Sequence, residues 1–185
     1  MTMHTDRVRT QPLKMILLIA VLIAAIVYGT IGVTAQDALW FFNQLSGRVD
    51  AHPVRFLIYH DQGKLADLRP GQQGFDQLAA ALHDSLAHGF ERPSGIGFSD
   101  ASLLDAYSRY VSVEVFFDPP ARLHSPYATG EPTQMLFPIT GRHSDQSLVL
   151  LGNDGKYRSN APVLYTVEPI RRALQDLGYY TPQAR

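Results

Sequence analysis

Hydrophobic positions along the chain follow two regimes. From Met15 to Val33 they are almost unbroken (MILLIAVLIAAIVYGTIGV), with no charge, side-chain amide or proline. A helix needs roughly 20 apolar residues to cross the hydrocarbon core of a bilayer, and lipid offers no partners for an unpaired backbone. The run therefore predicts a transmembrane signal-anchor helix over 15–35. Arg7, Arg9 and Lys14 precede it against a single Asp6, and the first acid beyond it is Asp37. Basic flanks stay inside, so a short cytoplasmic N-terminus (1–14) and an extracytoplasmic remainder are expected. Trp40, Phe41 and Phe42 fit an aromatic anchor at the outer interface. The rival reading is a secretory signal: Val33-Thr34-Ala35 suits cleavage near Ala35, which would release the rest as a secreted protein.

Residues 36–53 are polar and turn-rich in their second half and read as an interfacial segment and linker; 54–182 read as one folded domain. There the apolar positions alternate or recur at helical spacing. Val54, Phe56 and Ile58 share one face of a first strand, Arg55, Leu57 and Tyr59 the other. A second short strand ends at Leu68. Phe75, Leu78, Leu82 and Leu86 make a helical stripe closed by Gly89. Ser99 or Asp100 caps a shorter helix through Leu103, Leu104 and Tyr107, with Asp105 and Arg109 as an i,i+4 pair. Val111–Phe117 alternates as a strand, 134–139 and 146–151 form a hairpin, Asn153-Asp154-Gly155 turns into another short strand, and 163–165 extend a further one. Glu168-Pro169 starts a last helix carrying Ile170, Ala173, Leu174 and Leu177.

Strands joined by turns pair antiparallel, and each helix has one apolar stripe. The expected fold class is α+β, a mainly antiparallel sheet covered by two or three helices on one face. The opposite face would carry Leu57, Tyr59, Phe116 and Leu136, too apolar to stand fully in water. Either a strap formed by the long Pro/Gly-containing loop after Asp118 covers it or it is a partner surface; the loop's length favours the strap.

Composition narrows the chemistry. With no cysteine, disulfides, thiolate metal sites, Fe–S clusters and cysteine nucleophiles are excluded. An exported domain held by packing alone points to a bacterial envelope. Beyond the basic N-terminal flank, 13 basic and 16 acidic residues remain, evenly mixed, which argues against a nucleic-acid surface. No dinucleotide, phosphate-loop, HExxH or GxSxG pattern is present, and no cofactor is expected.

One constellation invites chemistry: His60-Asp61 at a strand end and His143-Ser144-Asp145 in a hairpin loop. Two imidazoles and two carboxylates suffice for a zinc site, or for a base and orienter serving Ser144. The same residues also suit plain turns. Asp84 and His88 read as a surface pair, and His124 in the long loop has no carboxylate near it in sequence. The leading expectation is a membrane-anchored extracytoplasmic binding, sensor or accessory module without catalytic activity, engaging a protein partner or an envelope ligand. The alternative is an envelope hydrolase, metal-dependent or not, using His60, Asp61, His143 and Asp145.

Overall fold

A computed structural model of the chain describes residues 11–35, 49–61, 63–125 and 127–181. Arg7, Arg9, Asp6, the interfacial aromatics Trp40, Phe41 and Phe42, and most of the linker lie outside the described residues. The expected membrane segment is helix α1 (Gln11–Ala35). Its window Pro12–Val33 has a mean hydropathy of 2.7 over 22 residues and buries none of it against the chain, so it is long and apolar enough to span a membrane.

The domain runs β1 (Pro53–His60), β2 (Gly63–Leu68), α2 (Phe75–Ala87), β3 (Phe90–Pro93), α3 (Asp100–Ser108), β4 (Ser112–Phe117), β5 (Gln134–Pro138), β6 (Leu150–Asn153), β7 (Lys156–Tyr157), β8 (Pro162–Leu164) and α4 (Glu168–Asp176). Six strands form one antiparallel sheet in the order β2-β1-β4-β5-β6-β7, the α+β architecture the periodicities predict. β3 and β8 pair as a separate two-stranded ribbon. β3 is absent from the expected elements: of its four residues only Phe90 is buried, and its partner lies far along the chain.

Local chemistry sets the helix ends. The Ser99 side chain accepts a hydrogen bond from the Ser102 amide, satisfying one of the free donors at the start of α3. Gly89 and Gly178 follow α2 and α4 with left-handed backbones, as the sequence suggests for helix ends.

Two cores lie on the two faces of the sheet. On one, Phe56, Ile58, Val113, Val115, Met135 and Phe137 meet Phe75, Leu78 and Leu82 of α2 and Ile170 and Leu174 of α4. This is the expected helix-covered face. On the other, Leu136, Leu148 and Leu150 pack with Ala106 of α3, Ala161 and Val163. The Pro-rich loop is therefore not the strap: its Ala121 and Leu123 belong to the first core, and α3 covers the second face instead. The physical reason is chain direction. The Arg122 amide donates to the Asp50 carbonyl (2.9 Å) and the Ala121 amide to Pro132, which tie the loop back along the first core.

Candidate functional site

The second face contains a buried carboxylate. Glu114 sits in the middle of β4 and is 6 % exposed. Strand alternation aims it at α3, and strand register sets Leu57 on one side of it and Leu136 on the other. An ionised carboxylate in such a place requires donors. It has three: the Tyr59 hydroxyl from β1 (2.9 Å), the Tyr107 hydroxyl from α3 (3.2 Å) and, at very short range, the Tyr157 hydroxyl from β7. Tyr107 and Tyr157 also touch through their hydroxyls at 3.4 Å. Burial, then the neighbouring Glu114 charge, pushes the Tyr59 and Tyr157 hydroxyls well above their ordinary range. Burial pushes Tyr107 up to about 12. These phenols stay protonated and donating across the physiological range. The cluster binds the helix to three strands and leaves the carboxylate oxygens occupied.

Of the expected partner surface, Leu136 is fully buried and Leu57 is 7 % exposed, so α3 and the sheet already occupy them. Tyr59 and Phe116 are half-buried. The Arg55 guanidinium lies 5.6 Å from the Phe116 ring centre and makes a two-pronged ion pair with Asp67 (2.8 and 2.6 Å).

His60 and the 139–147 loop lie at the same end of the sheet, because Tyr59 pairs with Ser112 and Ser112 with Pro138. β4 intervenes, so β1 and β5 are about 9–10 Å apart. Among the described residues no group of three or more potential metal ligands forms, and no hydrogen bond links His60, Asp61, His143 and Asp145. The Ser144 hydroxyl donates to the Gly141 carbonyl (2.9 Å), a turn contact. The His143 ring rests instead beside Phe98, centroids 6.1 Å apart. Asp84 and His88 do form a surface pair, with His88 Nδ1 3.7 Å from the Asp84 carboxylate. His124 has the carboxylate its sequence neighbourhood lacks: Nε2 lies 3.3 Å from Asp50.

At the same end of the sheet is a cleft of about 60 Å³ between α3 and the loop that follows β5. Phe98, Ala106, Val111 and Pro138 give it apolar walls, and Ser102, Asp105, Tyr110, Ser112, Thr140 and Arg142 the remainder. Several of its polar groups are engaged. The Ser112 hydroxyl donates to the Ala106 carbonyl (2.7 Å), the Thr140 hydroxyl accepts from the Val111 amide (2.8 Å), and Asp105 pairs with Arg109 (3.4 Å). Arg142 is exposed and has no ion-pair partner among the described residues.

The loop carrying Arg142 is conformationally costly. His143 and Ser147 both adopt left-handed backbones (φ 65° and 50°), which side-chain-bearing residues rarely hold. Gly141 (φ 80°) lies flat on the Tyr110 ring, where any side chain would collide with it. Backbone strain of this kind gathers at ligand clamps and switch regions. Sequence reasoning singled out His143-Ser144-Asp145 in this loop and passed over Arg142, whose signal was a lone cation beside an invitingly small-residue turn.

No protein-family model, curated protein or solved structure matches the chain.

Proposed function

We propose that this chain is a single-pass, membrane-anchored binding module, with its short N-terminus cytoplasmic, its α+β domain outside the cytoplasm, and the α3 cleft as the place where a small ligand docks. The observation that carries the reading is α1: 22 residues of mean hydropathy 2.7 with no face buried against the chain. A soluble protein would bury at least one stripe of such a helix. Its dozen Leu, Ile and Val residues favour lipid by about 0.3–0.6 kcal/mol each, of order 5 kcal/mol together. Lys14 lies near the end of the helix, where a lysine can reach the interface. The basic flank supports this direction.

The cleft supports binding rather than a purely structural role. It is open, has a mixed lining with apolar Phe98, Val111 and Pro138, and is bordered by a strained loop that presents a guanidinium.

Paired C-terminal reporters test the placement. Alkaline phosphatase folds only outside the cytoplasm and a fluorescent protein of the cytoplasmic type only inside. The reading expects the phosphatase fusion active and membrane-bound. An active cytoplasmic reporter overturns it. A mature N-terminus beginning at Gln36, read by mass, makes the protein secreted instead of anchored.

A further inference from the structure

We propose that the α3 cleft binds a small carboxylate ligand with a short branched apolar body, the carboxylate held by Arg142; this rests on the reading of the domain as a binding module. Three observations converge on it.

The first is charge. Asp105, the acid on the wall, is engaged by Arg109 at 3.4 Å, whereas the exposed Arg142 has no ion-pair partner among the described residues. The charge left over at the mouth is therefore positive. A guanidinium offers parallel donors that match the two oxygens of a carboxylate.

The second is the wall. The Ser112 hydroxyl donates to the Ala106 carbonyl, and the Thr140 hydroxyl accepts from the Val111 amide and keeps its own proton to donate. The interior presents Phe98, Val111 and Pro138 as apolar contact surface beside the Tyr110 and Thr140 hydroxyls. The apolar part suits a short alkyl group.

The third is size and fixity. An apolar cavity of about 150 Å³ accepts benzene. At about 60 Å³ this cleft is less than half that size and suits an isopropyl-sized group better than an aromatic ring. Arg142 is held between Gly141, seated on the Tyr110 ring, and the left-handed His143, whose ring abuts Phe98. The backbone that carries Arg142 thus has few alternative conformations, so ordering the guanidinium on a ligand costs its side-chain freedom and little more.

The test uses the full chain in lipid nanodiscs, with empty nanodiscs as control, and ligand-observed NMR of isobutyrate, isobutyramide and benzoate. Isobutyrate is expected to bind, isobutyramide and benzoate at least tenfold more weakly, and added salt to weaken isobutyrate. Arg142→Gln should lose isobutyrate binding by tenfold or more, and Arg142→Lys should restore part of it. Ser102→Leu, which fills the cleft from its rim, should abolish binding while thermal unfolding stays as in the parent. Isobutyramide binding as well as isobutyrate, with both lost in Ser102→Leu, overturns the carboxylate assignment and leaves the binding-module reading intact. Isobutyrate binding unaffected by Arg142→Gln, benzoate binding best, or no probe binding at all each overturns the proposal. The reporter fusions decide the membrane placement independently.

Discussion

Tyr59 and Tyr107 meet edge to face, ring centroids 4.6 Å apart, and both hydroxyls donate to the Glu114 carboxylate. One residue comes from β1 and the other from α3, separated by most of the domain's first half. The contact is the clasp that holds α3 onto the sheet, and the α3 cleft depends on where that helix lies.

Breaking the clasp should loosen α3. Tyr157→Phe removes one donor from a buried carboxylate, and Glu114→Gln turns one of its two acceptor atoms into a donor facing a phenol. Each is expected to cost about 1–3 kcal/mol in denaturant unfolding of the detergent-solubilised chain. The two should not add, because they disrupt one network. Additive losses would mean that the three hydroxyls act independently.

The same cluster predicts an alkaline limit. Its three phenols have folded pKa values raised above the ordinary value of 10. The folded state therefore binds more protons than the unfolded state above pH 10. Stability should be complete below pH 10 and fall as pH rises toward 12 and beyond. Absorbance titration of the nine tyrosines should show a late-titrating group whose ionisation coincides with unfolding. Tyr59→Phe should remove one member of that group.

At the acid end, the Arg55 guanidinium holds the Asp67 carboxyl down at about 2 against an ordinary 3.8. A lowered folded pKa adds stability that is present above the ordinary value and lost as pH falls toward 2. The parent should lose stability between about pH 4 and pH 2, and Asp67→Asn should be less stable at pH 7 but flatter across that window. An unchanged slope would assign the acid sensitivity to other carboxylates.

Much of this architecture is written in the periodicities. β4 announces itself by Val113, Val115 and Phe117 alternating with Ser112, Glu114 and Phe116, and α2 by Phe75, Leu78 and Leu82. What periodicity does not encode is the side of the sheet on which a helix lands. That choice put α3, and not the Pro-rich loop, over Leu136. The carboxylate cluster was half visible: Glu114 shares a strand face with residues too apolar to be wet, so it needed donors, but its three tyrosines are scattered from position 59 to 157. Only register brings them together. Likewise His60 and His143 reach one end of the sheet through pairing, yet β4 separates them.

Gly152 supports the β6–β7 turn that delivers Tyr157. A Cβ there would lie 2.6 Å from the Lys156 carbonyl and 2.9 Å from the Tyr157 ring. Gly152→Ala should therefore destabilise by about 1–3 kcal/mol and shift the late-titrating tyrosines toward ordinary values. Loss of stability without a change in that titration would separate the turn from the cluster.

The central claim is that α1 lies in the bilayer with the domain beyond it, and the absence of native cysteine makes it directly testable. Single cysteines at exposed Ser159 and at Thr5 would be probed with a membrane-impermeant maleimide in intact and lysed cells. The account predicts that Ser159→Cys reacts in intact cells and Thr5→Cys only after lysis. The reverse pattern would contradict it.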